Sequence, residues 1–430
     1  MKMKRHRFYA CLLTVMTLAG FTACSSTDND GVTDGQTVNG KSQLTLTINT
    51  MGTRAGFKAD PAGTDASNNP EKTINRVTVG IFDSDDKVRT IKEFTKGTDE
   101  TAGTVGTNTF KTTDGSTVMN IVTNKLTDKD KVLVAVNAPS GKFQGAQTVS
   151  DFQSRSVDAG RALATNASNE ETPQTDQVAD NAPMFGSAKL EKPASGATAY
   201  TASVNVSHLT AKISLTDIEV AFDPNGSYQN ATFSPTEIYV EHVVDGLNFN
   251  PEPGNWFTPT TSLLTGATGV TDAKTYLTTG AITGVTLSGT AKMSTPYFFY
   301  VTPSSNNTPS GTGANAVRIW IKGLFDPDGP GEKTADATTV FYPVLLNVKY
   351  DAAGAASAAD DKIDNKEVYK VYPNRNYTCK IVIKTKGLPG SGPDGKSQPK
   401  PGDDELKPQQ ATITVSVNDW TPVTQTTTFE

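Results

Sequence analysis

Cysteine is scarce in this chain, with three in 430 residues. Cys11 and Cys24 fall in the N-terminal leader and Cys379 stands alone in the body, which excludes a disulfide framework and leaves the cores to hold the fold. Cys379 alternates with Tyr377 and Ile381 in a strand-like run, the setting of a small buried hydrophobe. Histidine is equally rare: His6 lies in the leader, and His208 and His242 are far apart. No Gly-x-Ser-x-Gly, His-Glu-x-x-His, Walker or Cys-x-x-Cys pattern occurs, so no catalytic residue is assigned and no enzyme, metal or cofactor is expected. Basic excess is also missing. With a net charge of -6 and 20% charged residues, nothing favours nucleic acid or an anionic membrane surface. Long helical periodicities are absent, while Thr, Ser, Gly, Asn and Asp abound, which predicts short strands joined by turns and an all-β chain.

What is present begins at the leader. Lys2, Lys4, Arg5 and Arg7 precede a short apolar stretch from Cys11 to Gly20, roughly half the length needed to span a bilayer, so this is an export signal. Phe21-Thr22-Ala23 before Cys24 resembles a lipobox, whose cysteine receives a diacylglyceryl thioether; the alternative is a plain secretory cut near Ala23. Ser25 to Gly40 is polar and Gly/Asp/Asn-rich and reads as a tether. An acyl chain would hold the precursor on the outer membrane, each buried CH₂ adding about 0.8 kcal/mol.

The tether leads into Leu44-Thr45-Leu46-Thr47-Ile48, a strand with apolar residues on one face and threonines on the other, followed by Arg54-Ala55. One cut after Arg54 would remove lipid and strand together. Losing Leu44, Leu46 and Ile48 uncovers burial of about 5–9 kcal/mol, at about 1.5–3 kcal/mol per aliphatic side chain, and leaves a row of unpaired backbone groups. The chain ends in a strand of the same period, with Ile413, Val415 and Val417, and then Trp420, Val423 and Phe429. Between this segment and the strand at 377–386 lies 387–410, rich in Gly and Pro, which excludes regular structure and would span up to roughly 80 Å extended. A removable first strand and a look-alike last strand on a long leash predict a subunit that polymerises head to tail by exchanging strands. A long surface loop that returns the last strand to its own sheet is the alternative.

Further strands are predicted at 74–82, 131–137, 210–220, 237–244, 297–301, 317–322 and 342–350, with a helical turn capped by Thr148 or Ser150 and loops at 155–182 and 351–359. The length allows two domains, with the boundary near 204–208. The predicted segments are a signal peptide (1–23), tether and removable strand (24–54), an N-terminal domain (55–206) and a C-terminal domain (207–430). The last includes the linker 387–410 and the donor segment 411–430. Asp326-Pro327-Asp328-Gly329 resembles half a calcium loop, but the downstream spacing is wrong and a solvated turn is expected.

In order and spacing, several of these features resemble the Bacteroidales fimbrillins, the FimA-like subunits of type V pili. They are the lipobox at Cys24, the strand before Arg54-Ala55-Gly56-Phe57, Ile74 to Phe82, and Val132 to Ala138. His208 to Val220, Tyr342-Pro343-Val344-Leu345, Asn374-Arg375-Asn376-Tyr377 and Val417-Asn418-Asp419-Trp420 complete the set. The resemblance covers most of the chain and is loose in the loops. It implies two transthyretin-like β-sandwich domains in tandem and an outer-membrane lipoprotein precursor. It also implies cleavage by an arginine-specific protease at Arg54, a groove filled by a neighbouring copy's C-terminal segment, and accessory pilus subunits as partners. The cleavable strand and the tail together favour a stalk subunit over an anchor or tip. A different class of function is a surface lipoprotein that keeps its lipid and binds glycan through its loops, with Trp256, Phe257, Tyr297, Phe298 and Phe299 as the candidate platform.

Overall fold

The computed structural model describes residues 41–50, 73–97, 107–113, 116–160, 182–193, 199–252, 256, 263–293, 296–305, 315–331, 336–350, 356–358, 367–390, 411–412 and 421–429. The first unit holds β1 (Lys41–Thr50), β2 (Arg76–Phe82), β3 (Val88–Lys96), β4 (Thr109–Thr113), β5 (Ser116–Asn124), β6 (Lys131–Val136), helix α1 (Val149–Gln153), β7 (Ser156–Val157), β8 (Met184–Lys189) and β9 (Tyr200–His208). All but β7 join in a closed barrel of order β1-β5-β4-β3-β2-β6-β8-β9. Its interior is apolar: Leu44, Leu46 and Ile48 meet Val77, Val79, Ile81, Val132, Val134 and Val136. The helical turn forms where predicted, with Thr148 as its cap: its Oγ1 accepts from Asp151 N at 3.0 Å.

The second unit begins with β10 (Ala211–Val220), β11 (Thr232–Val243), β12 (Leu247–Asn248), β13 (Leu264–Thr265), β14 (Leu287–Ser288), β15 (Lys292–Met293) and β16 (Tyr297–Val301). It continues through β17 (Arg318–Asp326), β18 (Thr338–Leu345), β19 (Lys349–Tyr350), β20 (Ala356–Ser357), β21 (Arg375–Ile383), β22 (Leu388–Pro389), β23 (Ala411–Thr412) and β24 (Thr421–Phe429). One sheet runs β15-β10-β21-β24-β23 with β16 also on β10; the other runs β13-β11-β17-β18-β22 with β14 on β11. Their facing rows, Ile213, Leu215, Tyr377, Cys379 and Ile381 from one and Ile238, Val240, Ile319, Ile321 and Tyr342 from the other, share one core. The molecule is therefore all-β, in tandem sandwich-like units.

That second core does not stop at the boundary. Phe82, Leu133, Ala135 and Phe185 point out of the first unit and join it, with Phe143, Phe152 and Phe249 between. Phe143 stacks on Phe152 at 4.0 Å and meets Phe249 edge-on at 5.0 Å. This explains why β6 reads Val-Leu-Val-Ala-Val without alternation: odd and even residues enter different cores. The interval 155–182, predicted as loop, contains β7, which pairs with β12 across the same junction. The linker 387–410 likewise contains regular pairing, because Leu388 and Pro389 lie beside Phe341 and Val340 on β18.

Candidate functional site: the first strand and its groove

Strand β1 lies between two neighbours of opposite sense. It is antiparallel to β5, from Lys41 opposite Asn124 to Asn49 opposite Ser116, and parallel to β9, from Leu44 beside Tyr200 to Thr50 beside Val206. The predicted removable residues are the inward row: Leu44, Leu46 and Ile48 are each 0% exposed. Across the three strands they line up as Ile121–Leu44–Tyr200, Met119–Leu46–Ala202 and Thr117–Ile48–Val204. On the other face Thr45 Oγ1 donates to Asn120 Oδ1 at 3.0 Å. Ser42 Oγ accepts from Leu126 N at 3.1 Å and so caps the turn that leaves β5. Vacating β1 would leave an apolar slot with two unpaired strand edges, which accepts an extended segment of period two. Cys24, Arg54 and Ala55 lie outside the described residues.

At the other terminus, Ile413, Val415, Val417 and Trp420 also lie outside the described residues. Val423 and Phe429 belong to β24, which runs parallel to β21 with Val423 opposite Tyr377 and Phe429 opposite Ile383. The last strand is thus paired within its own chain, the alternative to a free donor. Between those two apolar residues, β24 sets Gln425 opposite Cys379 and Thr427 opposite Ile381, beside a fully buried row. The tail leaves the body at a fixed point. Tyr342 Oη donates to Thr385 O at 2.8 Å, and a Cβ on Gly387 would come within 2.8 Å of the Tyr342 ring and 2.9 Å of Phe341 O.

Most of the remaining candidates are buried; Tyr297 and Phe298 are half-buried, with Lys212 Nζ 4.5 Å over the Phe298 ring. Cys379 is fully buried, and burial pushes its thiol up to about 12, so it is no nucleophile near neutrality. His208 is buried, as is His242, whose Nδ1 lies 3.1 Å from Ala316 O and whose proton affinity burial lowers. Trp256 stands edge-on to Tyr372 with Nε1 donating to Pro251 O at 3.1 Å, and Phe299 is buried, so neither is displayed as a sugar platform; Phe257 lies outside the described residues. The sequence missed one grouping. Asp336 joins Asp326 and Asp328, with one carboxylate oxygen of each within 4.8 Å of the others. The Asp328 and Asp336 Oδ1 atoms are shielded from solvent, while the turn as a whole is half-exposed; desolvation and then the charge of Asp336 raise the Asp328 pKa. Three carboxylates are about half of a calcium shell, and Asp326 Oδ1 is already engaged by Gly329 N at 3.1 Å.

This architecture, two tandem all-β units with β1 closed into the first, is similar to that of solved fimbrial and cell-adhesion proteins. A fimbrilin, FimA, from Porphyromonas gingivalis W83 superposes with a TM-score of 0.52 at 15% identity, covering 90% of this chain and 97% of that one. A protein assigned to cell adhesion from Parabacteroides distasonis ATCC 8503 gives 0.52 at 13% identity, over 91% of this chain and 98% of its own. No family model matches the chain, and no curated protein does. At such identities the likeness establishes the fold.

Proposed function

We propose that the chain is a structural subunit of a bacterial surface fimbria that supports adhesion. In this reading it is exported as a lipoprotein acylated at Cys24, held at the outer membrane and cut after Arg54 by an arginine-specific protease. The cut frees β1, and the C-terminal segment of another copy fills the vacated slot. The observation that carries the proposal is the position of β1: a ten-residue N-terminal strand with three fully buried apolar residues, inserted between β5 and β9. A first strand in that place is both a plug and a template. Tail geometry supports the same reading. β24 has β21 along one side and, among the described residues, only Ala411 and Thr412 along the other, so its release breaks one full-length ladder. Residues 391–410 between the clamp at Gly387 and β23 would reach roughly 65 Å if extended, enough to leave the molecule.

The test is removal of the tail. A chain ending at Gln410, expressed in the source cell, should reach the surface and lose β1 but form no filament by electron microscopy. Filaments of normal length from that chain would rule out the C-terminal segment as donor. A second reading, a lipoprotein that stays anchored and binds a ligand through its loops, shares the pairing of β24 with β21 inside one chain. It requires that the surface protein keep its lipid and β1. No enzymatic activity is proposed for either reading.

A further inference from the structure

The slot occupied by β1 is bounded unequally, and we propose that it has one fixed and one movable wall: β9 stays in place when β1 leaves, whereas the β4–β5 hairpin comes away with it. The inference rests on β1 being the exchanged strand and adds which neighbour leaves the barrel with it. Strand β5 runs beside β1 along its whole length, Ser116 to Asn124, but beside β4 only from Ser116 to Val118. In turn, among the described residues, β4 meets β3 only where Thr109 and Phe110 lie beside Thr95 and Lys96, with Gly97 N donating to Phe110 O at 2.9 Å. Without β1 the hairpin would hang on that short bridge and on three residues buried in the barrel interior, Phe110, Met119 and Ile121, the last two of which lose Leu46 and Leu44 as their cross-strand neighbours. The outer face of β5 offers no second core, since Val118 is 38% exposed.

The opposite wall is held elsewhere. Thr201 of β9 exchanges two backbone hydrogen bonds with Glu191, at 2.8 and 3.2 Å. Ser207 and His208 pair with Phe185 and Met184, and Leu209 N donates to Pro183 O at 2.9 Å. Gly186 lets the strands close up, since a Cβ there would lie 2.2 Å from Asn205 O. The floor strands β2, β6 and β8 are anchored from behind, where Phe82, Leu133, Ala135 and Phe185 enter the second core, to which β1 contributes nothing. The hinge falls between Asn124 and Thr127. Leu126 N is capped by Ser42 of β1 and loses that partner, whereas Thr127 is fixed by Asp130, which accepts from its backbone N at 3.1 Å and its Oγ1 at 2.8 Å and is paired with Arg89. An incoming strand therefore finds β9 preformed and re-forms the other wall as it pairs.

Hydrogen exchange on the intact, uncleaved chain tests this without any protease or polymer. The informative amides are those that never bond to β1: β4 (Thr109–Thr113) on one wall, Thr201 and Leu209 on the other. The expected result is that β4 opens together with β1, about tenfold or more faster than Thr201, Leu209 and β6. A Leu46→Ala variant should raise exchange in β1 and β4 by the same factor and keep both opening ahead of β6 and Leu209. If β4 is as protected as β6, or if Thr201 and Leu209 open with β1, the asymmetry is wrong. Should the variant fail to fold, the order of opening in the native chain decides alone. The outcome is independent of whether cells cut after Arg54, so failure of the wall model and failure of the fimbrial reading are separate results.

Discussion

Asn137 shows how much of this fold hangs on single polar residues. It sits at φ 57, the left-handed region. Its Oδ1 accepts from Asn75 N at 2.9 Å, and its Nδ2 donates to Thr73 O at 2.9 Å and Ala182 O at 3.0 Å. One side chain thus ties down the approaches to β2 and β8, and the first of these is where the body starts after the proposed cut. Asn137→Ala should lower unfolding stability by about 2–4 kcal/mol in a urea titration, from buried backbone groups left unpaired and a strained backbone. A second residue-scale expectation concerns acid. His242 faces Glu241 and Arg318, and burial lowers its proton affinity below the usual value near 6.5. Its neutral form is favoured in the fold, so stability is fully present above about pH 6.5 and falls as the pH drops and the unfolded chain takes up the proton. A His242→Asn variant, with a residue that tolerates positive φ, should lose less stability than the parent between about pH 7 and 5. Neither role was legible in the sequence, because the partners of Asn137 lie 45 to 64 residues away and a positive φ leaves no mark in composition.

At the scale of elements, period-two patterning identified β1 and its inward row outright, since alternation of Leu and Thr has one physical solution at a half-buried sheet. It did not reveal that β1 is parallel to β9, because partner choice depends on chain path. The C-terminal end divided differently. The apolar run at 413–417 stands out in the sequence, yet the strand paired to β21 is 421–429, dominated by threonine, where β-branching rather than apolarity drives extension. The linker's Leu388–Pro389 pairing was hidden by the prolines and glycines around it. Truncating Leu46 should cost about 2–4 kcal/mol by the burial it removes and the cavity it leaves. The loss should appear in the midpoint of chemical unfolding monitored within the barrel, for instance at an isotopically labelled Phe94 or Phe110.

At the scale of the whole molecule, the decisive feature is two cores of different composition. Strand β1 serves the barrel interior only, while the larger core spans both units through Phe82, Phe143, Phe152 and Phe249. Cleavage would therefore expose one core and leave intact the one that joins the two units. Cys379 reports on that second core: its thiol should resist alkylation at about pH 8 in cleaved and uncleaved protein alike and react only on unfolding. Reaction upon cleavage alone would show that strand loss unsettles the whole chain. All-β composition and tandem organisation were readable from the residue content and length, whereas the joining of the cores was not, because it depends on which face of β2, β6 and β8 turns outward.

The fate of β1 is the central question, and intact mass with N-terminal sequencing of the protein sheared from the surface of expressing cells would determine it directly. A chain that begins at Ala55 and carries no lipid is the predicted result. A chain that begins at a lipidated Cys24 throughout the material, with β1 retained, would contradict strand exchange and leave an anchored lipoprotein in its place.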